Sequence, residues 1–397
     1  MKTFRLLTSS VLLLTFLLRA VAAEKSSSDK SGKTAPTATG ATSAVGLSSA
    51  TKDAAKQYLE KFIVDNNIPG VLIQVTTPAG SWSEALGKAN SSQSTRMSMD
   101  LQHRIGSVTK TFTTTLMLQL AQEGKLSLDD PVSKFVAGVP NGDKITLRML
   151  GNMTSGLREY LANTEFRNTF FKDPSRTWKP QELLDASYKQ GPQFAPGTNS
   201  DYSNANTVLL GLVVEKVEGR PFAEVLKEKI LVPQGLNHTF FPANEKFPGP
   251  HIEGYTSLYP GKESVDSTSW SPSQAYTAGA MISTVADLTK WARLVGTGAL
   301  ISPELQAERL KWDRLGDNDD NWHYTFGLEE NSGWIGHNGM IPGYFTFEVY
   351  NPELDATIVI AMNSDKKVNG EQGINVLLRD ISKILFPDNP VNVPVIK

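Results

Sequence analysis

RIGSVTKTFTTTLMLQLAQEG, residues 104–124, places a serine and a lysine three positions apart at the start of an amphipathic run. The apolar residues of that run recur every fourth position, at Phe112, Leu116 and Leu120, and a glycine ends it, which predicts a helix. Ser107 and Lys110 then lie on one helix face, one turn apart. A partly desolvated lysine has a lowered pKa and can take the proton of a serine hydroxyl. The stretch therefore predicts a nucleophilic serine at a helix start, where free backbone N–H groups favour developing negative charge.

The Ser-x-x-Lys pattern is weak evidence when it stands alone. It begins at three more serines of the chain, Ser27, Ser49 and Ser364. An ordinary helix N-cap is the competing interpretation of Ser107. A catalytic assignment therefore depends on the segments that accompany this one.

The first 52 residues are expected to lie outside the catalytic unit. Residues 1–23 have the form of a secretory signal, with a basic start, an apolar stretch and small residues before Glu24. The apolar stretch is short for a membrane span, and its retention as an anchor is the alternative. Residues 24–52 are rich in Ser, Thr, Ala, Gly and Lys, which predicts a flexible tether. We therefore expect an exported protein, secreted or periplasmic, with one folded unit over 53–389.

The composition excludes several classes of protein. A chain of 397 residues with 40% apolar content can bury a large core. Residues 53–397 carry 32 basic and 39 acidic side chains, which argues against nucleic acid as a partner. The chain has no cysteine, so disulfides, cysteine nucleophiles and thiolate zinc sites are excluded.

No metal or other cofactor is expected. The five histidines are scattered without the spacing of metal ligands. The acidic stretch at 316–321 lacks the final carboxylate of a calcium loop and is interpreted as a solvated loop. A Ser-His-Asp hydrolase of the α/β type is disfavoured, because the chain has no Gly-x-Ser-x-Gly.

Strand patterns occur at both ends of the chain. A hairpin is predicted over 71–77 and 82–86, around a Pro-Ala-Gly turn. Two further strands are predicted over 344–350 and 356–362. These strands predict an antiparallel sheet built from both termini.

Helical patterns fill the remainder of the chain. Amphipathic helices are predicted at 54–64 and 374–385, and the middle, roughly 125–285, is mostly helical, with a clear helix at 206–217. The order of the elements predicts an α+β fold in which helices flank the sheet and a mostly helical domain is inserted. A cleft between the two parts would hold the site.

Tyr202-Ser203-Asn204, the only Tyr-x-Asn in the chain, precedes the predicted 206–217 helix. A tyrosine beside a lysine can pass a proton to a leaving group, and an asparagine amide can hold a substrate carbonyl. Caps and turns favour the same residue types, so a structural interpretation remains open.

GHNG, residues 336–339, opens a predicted strand. Small residues there would let a substrate lie along the strand edge. The backbone N–H of Met340, just past Gly339, could join that of Ser107 in an oxyanion hole. A lone histidine is usually structural, so His337 alone is a weak candidate.

These three elements, in this order, resemble those of the penicillin-recognising serine hydrolases. That group contains class C β-lactamases, D-alanyl-D-alanine carboxypeptidases, and related esterases and D-aminopeptidases. The resemblance covers roughly residues 54–385 and includes connecting segments, namely LDDPV at 128–132, MTSGL at 153–157, FAPG at 194–197 and AGAMIST at 278–284. It implies the β-lactamase/DD-peptidase-like form of the α+β fold.

The resemblance implies a role for each candidate residue. Ser107 would be the acylated nucleophile, Lys110 its base and Tyr202 the proton shuttle. Substrate contacts would come from Asn204, His337, Asn338 and Gly339, and the oxyanion hole from the backbone of Ser107 and Met340. His337 stands where many members have lysine and some have histidine, and Asn338 replaces the usual threonine or serine.

The resemblance implies acyl transfer but leaves the substrate open among D-alanyl peptides, β-lactams and esters. A protonated His337 would favour a substrate that ends in a carboxylate. We therefore expect a D-alanyl-D-alanine carboxypeptidase-type peptidase acting on cell-wall peptides. The alternatives are a class C-like β-lactamase or carboxylesterase, and a sensor that binds peptidoglycan or β-lactams without turnover.

Overall fold

A computed structural model of the protein describes residues 46–91, 95–311 and 322–393. The expected signal sequence, the tether as far as residue 45 and the acidic stretch at 316–321 lie outside these residues. Helix α1 begins at Ser49, where the Ser48 side chain accepts a hydrogen bond from the Thr51 N–H. The last four residues assigned to the tether are therefore helical.

The central element is an eight-stranded antiparallel sheet with the order β3-β2-β1-β12-β11-β10-β9-β8. Its strands are β1 (Gly70–Thr77), β2 (Gly80–Asn90), β3 (Thr95–Arg96), β8 (Trp322–Tyr324), β9 (Glu329–Asn331), β10 (Trp334–Ile341), β11 (Tyr344–Asn351) and β12 (Ala356–Met362). The N-terminal β1 pairs with the C-terminal β12, so that Val71 lies opposite Met362. The prediction of an antiparallel sheet built from both termini is confirmed.

Helices cover both faces of this sheet. They are α1 (Ser49–Asp65), α2 (Thr109–Gln122), α3 (Leu147–Gly151), α4 (Thr164–Lys172), α5 (Pro180–Tyr188), α6 (Asn204–Glu218), α7 (Phe222–Leu226), α8 (Val285–Thr297), α9 (Pro303–Arg309) and α10 (Gly373–Leu385). Among the described residues, none of the helices has the length and apolar character that crossing a bilayer requires.

Alternate residues of β12 belong to two different cores, because successive side chains of a strand point to opposite faces. Ile358 and Ile360 pack in the core that contains α1 and α10. Val359 and Ala361 pack in the larger core that contains α2, α6 and α8. Burial on both faces explains why six of the seven residues 356–362 are apolar, without alternation.

The chain enters its mostly helical part after β4 (His103–Arg104) and returns from it at β7 (Ile282–Ser283). These two short strands pair with each other. Two other short pairs are β5 (Tyr255–Thr256) with β6 (Val265–Asp266), and β13 (Lys367–Val368) with β14 (Glu371–Gln372). Helix α2, which follows β4, packs in the larger core together with residues of β1 and β12.

Candidate active site

Ser107 lies in a 3-10 turn, Gly106–Val108, that leads directly into α2. Its neighbours Gly106 and Val108 are buried, whereas Ser107 is partly exposed. No side chain caps the first turn of α2. The N-cap interpretation of Ser107 is therefore wrong. The Ser107 hydroxyl is instead hydrogen-bonded to two other side chains.

Lys110 is fully buried and donates three hydrogen bonds through Nζ. The acceptors are Ser107 Oγ at 2.9 Å, Asn204 Oδ1 at 2.7 Å and the Ala278 carbonyl oxygen at 2.7 Å. An ammonium group has three hydrogens, so the charged form is saturated. The amide oxygen and the carbonyl oxygen can only accept. When Lys110 is a neutral amine, two of its N–H groups must therefore still donate to these two oxygens. The lone pair of Nζ then faces the Ser107 hydroxyl.

Burial lowers the pKa of Lys110 to about 7, although the negative charges of Glu159 and Glu329 oppose this shift. A large share of Lys110 is therefore neutral at neutral pH. An amine in that state can accept a proton from Ser107.

Tyr202 contacts the same serine from the loop before α6. Its hydroxyl donates to Ser107 Oγ at 2.9 Å, and its ring centroid lies 4.8 Å from Lys110 Nζ. Burial raises the pKa of Tyr202 well above its usual range. The phenol therefore keeps its proton and acts as a donor. The structure thus brings Ser107, Lys110 and Tyr202 together, as their sequence contexts predicted.

Asn204 is held between Lys110 and a carboxylate that the sequence analysis missed. Its Oδ1 accepts from Lys110, while its Nδ2 donates to Glu159 Oε2 at 2.9 Å. One amide hydrogen of Asn204 remains for a substrate contact. Glu159 lies two residues beyond the MTSGL segment, and its partner is 45 positions away in the chain. No local pattern indicates such a contact.

The turn at Ser107 is pressed against β10, where two glycines allow the approach. A Cβ on Gly106 would lie 2.6 Å from Met340 N, and one on Gly339 would lie 1.9 Å from the Ile105 oxygen. The same added Cβ on Gly339 would lie 3.0 Å from Ser107 N. The backbone N–H groups of Ser107 and Met340, which are predicted to form an oxyanion hole, therefore lie on either side of this close contact.

His337 is fully buried on β10, and both of its ring nitrogens lie near polar partners. Nδ1 faces the Asn338 carbonyl oxygen at 2.5 Å, and Nε2 faces the Tyr324 hydroxyl at 3.3 Å. A carbonyl oxygen can only accept, so Nδ1 carries the proton and Nε2 accepts from Tyr324. Burial, together with the charge of Lys110, lowers the pKa of His337 to about 3.

The carboxylate preference inferred from a protonated His337 is therefore not supported, because the imidazole is neutral at physiological pH. Asn338 and Met340 are partly exposed, whereas His337 and Gly339 between them are buried. This alternation leaves Asn338 as the polar side chain of the segment on the accessible side.

The fold and the site are those of a serine acyl-transfer hydrolase, and the chain belongs to the β-lactamase family. The family model described as "Beta-lactamase" matches residues 51–382. This membership confirms both the resemblance seen in the sequence and the expected fold class. Members of the family are serine hydrolases, and the chain has the β-lactamase and penicillin-binding fold.

Two solved structures extend this assignment. A D-stereospecific amidohydrolase from Streptomyces sp. is 30% identical with a TM-score of 0.74, over 81% of this chain and 97% of that one. A D-amino acid amidase from Ochrobactrum anthropi is 26% identical with a TM-score of 0.76, over 85% and 99%.

Among curated proteins, PbpX of Bacillus subtilis, whose name places it with penicillin-binding proteins, is 26% identical over 260 residues. The match covers 65% of this chain and 61% of PbpX. The chain thus spans less than two thirds of that relative's length.

Proposed function

We propose that the protein hydrolyses an amide or peptide bond of a D-amino-acid derivative through an acyl-enzyme on Ser107. The observation that carries the proposal is the hydrogen-bonded set of Ser107, Lys110 and Tyr202. Neutral Lys110 takes the Ser107 proton while Oγ forms its bond to the substrate carbonyl carbon. The Ser107 and Met340 N–H groups stabilise the oxygen that becomes negatively charged.

Collapse of the tetrahedral intermediate breaks the bond to the leaving amine, which needs a proton. Tyr202 is suited to deliver it, because its hydroxyl lies 2.9 Å from Ser107 Oγ and stays protonated. The phenol is in turn reprotonated from the Lys110 ammonium. Water then attacks the acyl-enzyme, and Lys110 serves as base for a second time.

The choice of an amide over a free-acid substrate follows from the charges around Ser107. Neither His337, which is neutral, nor Asn338 supplies a cation for a terminal carboxylate. Glu159 and Glu329 add negative potential at Lys110. The two similar solved structures are described as D-specific amidases, and this description supports the same substrate class.

A D-alanyl-D-alanine carboxypeptidase is the second candidate, favoured by the sequence motifs and by the similarity to PbpX. A β-lactamase or an esterase on the same scaffold would use the same three side chains, and a sensor would be acylated without turnover. We further propose export, on the strength of residues 1–23.

The first experiment is intact-mass spectrometry of the protein with a penicillin over time, together with rates on matched substrates. D-phenylalanine amide and an acyl-D-alanyl-D-alanine amide are each compared with the acyl-D-alanyl-D-alanine free acid. We expect hydrolysis of the amides and a smaller kcat/KM for the free acid. Ser107→Ala should abolish turnover, and Lys110→Ala should slow acylation by at least about 10²-fold.

The carboxypeptidase, the β-lactamase and the sensor each give a different result in this experiment. Preference for the free acid with a persistent penicillin adduct would establish the carboxypeptidase. A transient adduct with hydrolysis of the drug would indicate a β-lactamase, and a lasting adduct without any turnover a sensor. Full activity of Ser107→Ala would remove the acyl-enzyme from the mechanism.

A further inference from the structure

Glu159 belongs to the site by geometry, but the mechanism above gives it no role. Its Oε2 accepts from the Asn204 backbone N–H at 2.7 Å and from Asn204 Nδ2 at 2.9 Å. Its Oε1 accepts from the Leu161 N–H at 2.9 Å. Two backbone N–H groups thus fix the carboxylate in place, and the third bond holds the side chain of Asn204.

We propose that Glu159 is a positioning residue for acylation, which fixes the Asn204 amide and thereby aims the lone pair of Lys110 at Ser107. This inference rests on the proposed function, because it assumes that Ser107 is the group that becomes acylated. Glu159 itself touches neither Ser107 nor Lys110 through a hydrogen bond.

The side-chain amide of Asn204 has two possible orientations, related by exchange of its oxygen and its nitrogen. The Glu159 carboxyl accepts three N–H hydrogen bonds, which favour its ionised form although burial raises its pKa. An ionised carboxylate has no hydrogen to donate, so it repels an amide oxygen and binds the amide nitrogen. Glu159 therefore selects the orientation in which Asn204 Oδ1 faces Lys110. In the opposite orientation the Asn204 N–H₂ group would face Lys110 and would bind the lone pair of the neutral amine.

The consequence for Ser107 follows directly. With Asn204 Oδ1 and the Ala278 oxygen accepting two N–H groups, the lone pair of neutral Lys110 points at the Ser107 hydroxyl. With the amide reversed, Lys110 would direct an N–H at Ser107 and could not take its proton. The proton transfer that accompanies bond formation from Ser107 Oγ to the carbonyl carbon would then lack its base.

Glu159 also affects the charge state of Lys110. Four titratable groups surround this lysine, namely Glu159 from the loop after α3, Glu329 from β9, Tyr202 from the loop before α6 and His337 from β10. Tyr202 and His337 are neutral at physiological pH, so the two glutamates oppose the effect of burial. Loss of the Glu159 charge disfavours the ammonium and must lower the pKa of Lys110.

Two substitutions separate the charge of Glu159 from its hydrogen bonds. Glu159→Gln removes the charge and the acceptor of the Leu161 N–H, but its amide oxygen can still accept from the Asn204 backbone and side chain. Glu159→Leu removes both. Glu165→Gln is the matched control, because the Glu165 carboxylate on α4 lies in an exposed ion pair with Lys189.

Of the three kinetic and titration readouts, the first two do not depend on the proposed substrate class. The first is the titration of Lys110 by ¹³C NMR of labelled lysine, assigned by comparison with Lys110→Arg. The second is the rate at which a fluorophosphonate labels Ser107 as a function of pH. The third is the split between kcat and KM on D-phenylalanine amide, and thermal unfolding reports on folding.

We expect Glu159→Gln to move the Lys110 titration and the acidic limb of labelling to lower pH, by at least about half a unit. Its plateau rate should stay within about tenfold of wild type. Glu159→Leu should lower the plateau by about 10²-fold with little change in KM. The Glu165→Gln control should match wild type in every readout.

An unchanged Lys110 titration in Glu159→Gln, with an unchanged plateau in folded Glu159→Leu, would overturn the inference and leave Glu159 a purely structural residue. Failure of the proposed function looks different. In that case the wild type leaves the D-amino acid amides intact, while the Lys110 titration still responds to Glu159.

Discussion

Lys110 illustrates how burial changes the chemistry of one side chain. It has lost contact with water but retains three acceptors, so desolvation lowers its pKa to about 7 without leaving the ammonium unsatisfied. Burial lowers the pKa of His337 in the same direction, to about 3, so the imidazole stays neutral at physiological pH. The two side chains therefore do not titrate in the same pH range.

This difference predicts the pH dependence of acylation. Only the neutral form of Lys110 can accept a proton, so kcat/KM should rise with pH along an acidic limb near pH 7. His337 is already neutral throughout this range, so the limb should persist in His337→Gln when both proteins are measured from pH 5 to 9. A limb that disappears in His337→Gln would show that the imidazole titrates in its place.

The three hydrogen-bonded side chains of the candidate site could be singled out from the sequence because each lies within a short local pattern. Ser107 and Lys110 are one turn apart, and Tyr202 immediately precedes the N-terminus of α6. Glu159 and the neutral state of His337 were not predictable, because both depend on groups brought together from distant segments. Tyr324, for example, lies on β8 and reaches His337 only through the pairing of β8, β9 and β10.

Helix α2 shows a similar limit among the secondary structure elements. Its apolar face at Phe112, Leu116 and Leu120 was predicted, but the opposite face, which is rich in threonine, is equally buried. The Thr111 hydroxyl donates to the Val108 carbonyl oxygen and accepts from Trp291 Nε1 at 2.7 Å. Threonine counts as a polar residue in a hydrophobicity pattern. Such a pattern therefore does not reveal that the threonine-rich face of α2 is buried as well.

The contact between β10 and the turn at Ser107 leads to a prediction for Gly339→Ala. The new Cβ would lie 1.9 Å from the Ile105 oxygen, so the strand and the turn must separate. Separation moves Met340 N away from Ser107 N and should reduce acylation by about 10²–10³-fold. Fluorophosphonate labelling of Ser107 measures the rate, and circular dichroism checks that the variant is folded.

Gly249→Ala is the control for this substitution, because its Cβ would meet only ordinary contacts at 3.4 Å or more. It should label at the wild-type rate. Wild-type labelling by Gly339→Ala would mean that β10 takes no part in stabilising the transition state.

The packing of the N-terminal helix α1 determines where the folded unit that carries the candidate site begins. Helix α1 packs against α10 on the face of the sheet away from Ser107, with Ala55, Leu59 and Phe62 in that core. The Tyr58 hydroxyl donates to Asp380 Oδ2 at 2.9 Å and joins the two helices. Leu47 also packs against this core, ahead of the cap at Ser48.

A pair of truncations tests this boundary. A chain beginning at Gly46 retains the cap and all of α1, so we expect wild-type activity and stability. A chain beginning at Asp53 loses the cap and the first helical turn, and its free energy of unfolding should fall by about 1–2 kcal/mol in urea denaturation. Its kcat should remain that of the wild type, because α1 and Ser107 lie on opposite sides of the sheet. Equal stability of the two chains would place residues 46–52 with the tether, and a loss of activity on removal of residues 1–45 would make that segment part of the catalytic unit.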